Sequence, residues 1–430
     1  MGRLRLLPVV ILLSVAACAQ SQTTTGPTAA PAGPVTITFA NWAAAETATK
    51  DHIAQSIATF EQANPNIKVT SAPIAFSDIG HQLQLQNASG NAPDVAEIAG
   101  NDGLALVQAK ALQPLENLLT KSYVDSLLPG ERALGEFQGH LDLAPWTVAP
   151  LGFWYNRDIL TKAGLDPASP PKTLDQLTAA MAKIKSAEPD VIPLGLDTTN
   201  RTFGLDVNWG LMKDFNANPF GGGKATADTP AMGRYLGFIR TLGQNGYTVP
   251  NQKIGYFRPL AAQGKVAFQF DGPYLQGVIQ SVNHQSNADF YNTWGVTTLP
   301  AGSSGKHFST PTDHQLVIFR SSRQKAAAAK FIQWLSGSKQ AITDYTVRYE
   351  SSLPPVKNAI SSFPTELNTP VFKAFSSQVV PVVTRPAWGD TYTSGYSAVM
   401  AGVQKALASS EPISQIQTEM QSELRVQLGG

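Results

Sequence analysis

The sequence predicts an α/β protein folded as two lobes. Three observations carry that expectation. From Val35 onward, short β-branched and aromatic runs alternate with helix-like stretches, as they do where helices cover a mostly parallel sheet. A second series of the same kind follows Asp142. No short-period repeat links the two series, which favours two similar layers over an extended solenoid. With 430 residues and 43% hydrophobic content, the chain has the material for a large core.

The N-terminus reads as an export signal. Arg3 and Arg5 precede an apolar run from Leu6 to Val15, then Ala16, Ala17 and Cys18. This is the layout of a secretory signal, with an apolar run too short for an ordinary transmembrane helix. The ending V-A-A-C also resembles a bacterial lipobox, in which the cysteine is acylated and the peptide is cut just before it. Cys18 is the only cysteine, so it forms no disulfide within the chain, and it is assigned to lipid. Ala19 to Pro34 is small, polar and uncharged, the composition of a flexible tether. Removing residues 1–17 takes Arg3 and Arg5 away and leaves 30 basic against 31 acidic side chains. A body so close to neutral lacks the basic surface that nucleic acid requires.

The elements follow in order. Val35 to Ala40 is a strand ending at Asn41 and Trp42, followed by a helix-like stretch to Ala63. Asn64-Pro65-Asn66 is a turn into a second strand. Residues 78–88 read as a helix, and A-P-D-V-A-E-I-A leads through a buried strand to a polar tip at Asn101 and Asp102. In such sheets ligands collect at the carboxyl ends of the strands, which puts Asn41, Trp42, Asn101 and Asp102 on one rim. Short strands are expected around Pro145-Trp146 and Leu151–Tyr155, and Tyr155-Asn156-Arg157-Asp158 opens a helix. Thr173 is the expected N-cap of an amphipathic helix with Leu174, Leu177, Met181 and Ile184 on one face. Asp206, Asn208 and Trp209 fall on a helix over 205–215. Residues 265–274, 293–300 and 314–320 supply further strands, and the last seventy residues read as helical with a break near Pro381 to Trp388.

Four kinds of chemistry come into question. The six histidines include no pair at i, i+4 and the lone cysteine is committed, so no zinc spacing exists. His307 and His314 read as surface or hydrogen-bonded histidines. Pro219 to Lys224 is glycine-rich, but Asn218 stands where a phosphate-binding loop needs its first glycine and Ala225 follows the lysine. No G-x-S-x-G elbow is present. A glycosidase pair of carboxylates is a spatial feature that sequence does not display, so that reading stays open. What stands out is a set of aromatics at strand ends and turns: Trp42, Trp146, Trp209, Tyr274, Trp388 and Tyr392. Sugar rings present apolar C–H faces and polar rims, and flat aromatic platforms flanked by amides and carboxylates match them.

Y-N-R-D-I-L-T-K-A-G-L followed by P-P-K-T-L-D-Q-L resembles the family 1 extracellular solute-binding proteins of ABC importers, the maltose-binding-protein-like group. F-E-Q-A-N-P-N-I-K-V, A-P-D-V, G-K-V-A-F-Q-F-D-G-P-Y, W-G-V-T-T-L-P, A-K-F-I-Q-W-L and L-P-P-V follow the same order, and the match spans nearly all of residues 35–430. The resemblance implies a periplasmic-binding-protein-like fold, with a hinge between two mixed-sheet lobes and a ligand cleft at their interface. It implies a first lobe from 35–145, a second from 146–310, a return to the first over 311–358 and C-terminal helices of 359–430 mainly on the second. It implies a monomeric, non-enzymatic binder without cofactor or metal, exported and held by lipid to the outer face of the cytoplasmic membrane, where it serves an ABC permease. Carried over by position, the ligand contacts are Trp42, Glu46, Asn101, Asp102, Asp271, Gly272 and Tyr274, with Trp388 or Tyr392 as a C-terminal aromatic; the reading of the residues adds Asn41 at the first strand end, Trp146 at the crossover and Trp209. Maltodextrin binders often place a carboxylate in the crossover, where this chain has Ala149. The expected ligand is a mono-, di- or short oligosaccharide or a polyol. A glycerol-phosphate derivative such as a glycerophosphodiester is the alternative, and an exported glycosidase a third reading.

Overall fold

The computed structural model describes residues 33–428 apart from 222, 303 and 385–390, and leaves out the side chains of 360 and 391–393. The signal segment, Cys18, most of the tether, Trp388 and the side chain of Tyr392 therefore lie outside the described residues.

The first series forms β1 (Val35–Asn41), α1 (Lys50–Ala63), β2 (Ile67–Pro73), α2 (Ile79–Ala88), β3 (Val95–Ala99) and α3 (Gly100–Gln108). β2, β1 and β3 are parallel neighbours, in register from Val35 opposite Ile67 to Asn41 opposite Pro73. The helix after Trp42 begins later than the sequence suggests, at Lys50. Trp42 to Thr49 is instead a series of turns, tied by the Thr49 hydroxyl donating to the Ala43 carbonyl at 2.8 Å.

After β4 (Ala144–Pro145) the chain crosses to the second sheet. There β5 (Gly152–Asn156) is followed by α4 (Arg157–Lys162), α5 (Leu174–Ala187) and β6 (Ile192–Gly195). Both helix starts are set by their caps. The Asn156 side chain accepts from the backbone N–H groups of Asp158 and Ile159 at 3.0 and 3.1 Å, and the Thr173 hydroxyl accepts from Gln176 at 3.2 Å. Each cap satisfies donors that the first turn leaves open. Leu174, Leu177, Met181 and Ile184 are buried, as their spacing predicts. Then come α6 (Thr202–Asp214), α7 (Pro230–Gln244), α8 (Ile254–Ala262), β7 (Val266–Asp271), α9 (Leu275–Asn283) and β8 (Trp294–Thr297).

The chain returns to the first sheet as β9 (His314–Ile318), which carries α10 (Lys325–Gly337). The last long helices, α11 (Thr391–Ala408) and α12 (Ile413–Leu428), bury Val399, Met400, Val403, Met420 and Leu424 in the second core.

The strand orders are β2-β1-β3-β9-β4 and β8-β5-β7-β6. Both sheets are mixed. β9 runs antiparallel to β3 and β4, and only β7 and β6 are parallel in the second sheet. Direction explains the difference. β1, β3 and β7 end at the interface between the sheets, whereas β5 and β9 start there, having just crossed. A strand that leaves the interface must oppose one that arrives at it.

Three crossing segments lie side by side. Val148 pairs with Leu353 and Pro150 with Pro311 as antiparallel bridges. The backbone bonds Val148 N–H to Leu353 O (2.8 Å) and Leu151 N–H to Thr310 O (2.9 Å) hold them together.

Candidate ligand-binding cleft

A cleft opens between the two sheets, enclosing about 850 Å³ of empty space with the solvent at its mouth included. Its first wall carries Trp42, Glu46, Phe76, Asn101, Tyr349 and Glu350. Its second wall carries Phe203 and Asp206 of α6, Arg258 of α8, and Tyr274 and Val278 at and within α9. The crossing segment Thr310 to His314 lines it as well.

Aromatic rings face the cleft from both sides. Trp42 stands edge-to-face on Phe76 with ring centres 5.2 Å apart, and Phe76 in turn meets Phe203 of the opposite wall at 5.2 Å and 89°. Tyr274 leans toward His314 with centroids 6.1 Å apart, and its hydroxyl lies 3.2 Å from that of Thr312. Gly272 is required for this placement. A Cβ there would come within 2.3 Å of the Tyr274 ring, so D-G-P-Y is a close-approach motif. Polar contacts also join the walls. The Asn101 amide donates to the Asp206 carboxylate, and the Thr202 hydroxyl donates to Asp102 at 2.9 Å. Burial pushes the Asp102 carboxyl up, against the opposing pull of Thr202 and Arg201.

Two charged groups sit behind the rings. On the second wall, Arg258 grips Asp271 with Nε and Nη2 at 2.9 and 3.0 Å and lies 4.8 Å over the Tyr274 ring. On the first wall, His314 lies between Glu97 and Glu350, at 3.0 Å from the one and 3.5 Å from the other. Burial drives the Glu97 carboxyl well above the usual carboxylate range, and it drives Glu350 up to about 7, with the neighbouring carboxylates Glu46 and Glu97 adding to the effect and His314 opposing it.

The expected contacts divide clearly. Trp42, Glu46, Asn101 and Tyr274 line the cleft. Asn41 does not, because its amide is spent on the Phe39 carbonyl and the Ser71 hydroxyl, both at 2.9 Å, and its oxygen accepts from Ala44. Trp146 is also drawn away from the cleft. It is fully buried in the first core, stacked on Tyr345 at 5.1 Å and edge-on to Phe39. Trp209 is buried in the second core, its N–H donating to the Thr384 carbonyl. Asp102, Asp271 and Gly272 stand behind the lining, where they support other residues. Sequence reasoning did not count Phe76, Phe203, Arg258, Tyr349, Glu350 or the segment 310–314 among the contacts, and it read His314 as a surface or hydrogen-bonded histidine. Ala149 lacks a carboxylate, but its N–H donates to Asp313 at 2.7 Å. The carboxylate beside the crossover thus comes from a different crossing segment. Among the described residues no group of three or more His, Cys, Asp or Glu is arranged to hold a metal ion.

Residues 40–342 match the sequence family described as bacterial extracellular solute-binding protein. The chain belongs to that family. This solute-binding protein is 23% identical over 377 residues to an uncharacterized ABC transporter extracellular-binding protein of Pyrococcus horikoshii, covering 84% of this chain and 81% of the relative. It is 23% identical to a maltotriose-binding protein of Pyrococcus abyssi, over 77% of this chain and 68% of the other. Among solved structures, an ABC transporter solute-binding protein of Thermotoga lettingae bound with α-D-tagatose superposes with a TM-score of 0.80. The identity is 20%, and the match covers 92% of this chain and all of that one. The fold is therefore that of two-lobed solute-binding proteins. No helix among the described residues is long and apolar enough to cross a membrane.

Proposed function

We propose that the chain is the substrate-binding component of an ABC importer and that it closes on a neutral carbohydrate. The ligand is a mono-, di- or short oligosaccharide, or a polyol. The observation that carries this reading is the composition of the cleft. Rings face it from both walls, and Glu46, Asp206 and Glu350 stand among them to accept hydrogen bonds from hydroxyl groups. A relative named as maltotriose-binding and a fold neighbour solved with α-D-tagatose agree with it.

A phosphate-bearing ligand fits less well. Arg258 is the one lysine or arginine among the described residues that line the cleft, and both of its forked contacts are taken by Asp271. The carboxylates around it repel an anion.

The moving bodies in this reading are 35–146 with 311–358, and 147–310 with 359–430, Trp146 going with the first because it packs in that core. Closure follows ligand because both walls supply contacts, so the ligand favours the closed state. Cys18 carries the lipid that keeps the binder, a monomer on the outer face of the cytoplasmic membrane, beside its permease. The protein binds without making or breaking bonds in the sugar.

A thermal-shift screen tests the ligand class, since a ligand stabilises by RT ln(1 + [L]/Kd). Maltotriose, maltose, glucose or tagatose is expected to raise Tm, and glycerophosphodiesters to leave it unchanged. A shift with a glycerophosphodiester alone would reverse the assignment. Incubation with glycans is expected to give no hydrolysis product.

A further inference from the structure

The charge arrangement around His314 goes beyond holding a sugar. A neutral imidazole has one N–H and one lone pair. Here Nδ1 faces Glu97 Oε1 at 3.0 Å and Nε2 faces Glu350 Oε1 at 3.5 Å. Were both carboxylates ionised and the ring neutral, one lone pair would point at a carboxylate in a buried site. The three side chains are at most 8% exposed, so solvent does little to soften that repulsion. Only an additional proton among the three relieves that repulsion. The contact between Nδ1 and Oε1 is an ion-pair approach without hydrogen-bond alignment, and neither atom has another hydrogen-bond partner. Buried polar groups left in that state call for an explanation.

What the trio holds is the ligand platform. The other Glu97 oxygen accepts the backbone N–H groups of Trp42 and Ala43 at 3.1 and 3.2 Å. The His314 ring meets the Trp42 indole edge-to-face at 4.7 Å. Glu350 lines the cleft, while Glu97 does not reach it. His314 is also where crossing segments meet, since its carbonyl accepts from Trp146 and Thr147 at 2.9 and 3.1 Å. The titratable and charged groups around the trio are Glu46 beside the Trp42 turn, Tyr345 with its hydroxyl 3.4 Å from Glu350, and Arg258, Asp271 and Tyr274 across the cleft.

We propose that Glu97 is the positioning residue of the cleft: it fixes the Trp42 platform and, through His314, the Glu350 carboxyl, so that ligand affinity follows the proton shared by the three. This rests on the reading of the cleft as the ligand site. Loss of the proton puts negative charge on both sides of His314 and loads the two contacts that hold the Trp42 turn. Burial raises both carboxyls, and Glu350, raised to about 7, places that event near neutral pH.

The test uses the full chain with 15N-labelled tryptophan and histidine. The Trp42 indole resonance, assigned by its loss in Trp42→Phe, is expected to move with pH between 6 and 8 in the wild type. Glu97→Gln keeps an acceptor for the Trp42 turn but removes the charge, and is expected to leave a folded protein whose indole resonance ignores pH. His314→Gln serves as the second variant and should have the same effect.

In titration calorimetry with maltotriose and tagatose, Glu97→Gln is expected to weaken binding about tenfold, the scale of one charge-assisted contact. The binding heat should depend on the buffer's ionisation enthalpy in the wild type only. A wild-type indole resonance indifferent to pH, or one that still tracks pH in both variants, overturns the proposal. An indole that responds as expected while neither sugar binds upholds the positioning role and counts against the sugar reading instead.

Discussion

The two walls of the cleft handle buried charge in opposite ways. On the second wall, one cation meets one anion in a forked, doubly bonded pair, Arg258 with Asp271. Gln269 and the Gly272 N–H complete the carboxylate's bonds at 2.7 and 2.9 Å. On the first wall one imidazole serves two carboxylates, with Glu46 nearby as a further negative charge. The first arrangement balances one cation against one anion. The second carries surplus negative charge and is balanced only by protons. Structural rigidity is thus built into the Tyr274 side of the cleft, and sensitivity to conditions into the Trp42 side.

The largest effect should come from unbalancing the balanced wall. Asp271→Ala strands a buried guanidinium beneath Tyr274. Removing one partner of a buried pair costs about 3–5 kcal/mol, so a denaturant midpoint well below the wild type's is expected at every pH from 5 to 9. A loss that appears at only one end of that range would break the contrast between the walls.

The next effect belongs to the other wall and has a defined sign. Burial raises the folded-state pKa of Glu350 to about 7 from an ordinary 4.5. Its contribution is fully present below the ordinary value and is lost as pH rises through about 7. That shift corresponds to a loss on the order of 3 kcal/mol. Glu97 acts in the same direction. Asp214 does too: burial of its carboxylate pushes it up to about 8, with the Gly302 backbone opposing. The wild-type Tm should therefore fall between pH 5 and 8. Glu350→Gln should fall less steeply over the same range, the difference between the two slopes isolating Glu350. Parallel slopes would place the pH sensitivity elsewhere.

How much of this was legible beforehand follows from what each feature depends on. Helix starts at Asn156 and Thr173 were legible because a cap is a local matter of one side chain and the next turn. The two-lobed α/β class was legible because strand and helix periodicities repeat along the chain. Strand direction was not, because β9 is reversed by its path across the interface and not by its own residues. Trp42 and Tyr274 were recognisable at strand ends, yet Trp146 had the same local credentials and lies in the core against Tyr345, some two hundred residues away in sequence. Asp313 and Glu350 carried no local signal at all. Each is an ordinary polar residue in a connection, and what gives it a place in the cleft is the pairing of three crossing segments that are distant in sequence. The trio of Glu97, His314 and Glu350 draws on three such separate stretches. Only the hydrophobic setting of Glu97, alone among V-A-E-I-A, hinted that this carboxylate would be buried.

The smallest expected effect concerns what joins the walls. Thr202 at the start of α6 donates to Asp102 at the start of α3, while the neighbouring Asn101 donates to Asp206. These bonds tie the proton-sensitive wall to the rigid one, and they exist only while the walls are in contact. Thr202→Val keeps the shape and removes the donor, at about 1 kcal/mol for one hydrogen bond. The cost should fall on closure more than on folding, because each lobe's own core is untouched. With a donor–acceptor fluorophore pair placed on the two lobes, the unliganded variant should show a longer mean separation than the wild type. Added sugar should restore the wild-type distance, and the apparent Kd should rise by about fivefold, the equivalent of 1 kcal/mol. If the separation stays the same while the denaturation midpoint drops, the bond belongs to the fold and the walls are not held apart by its loss.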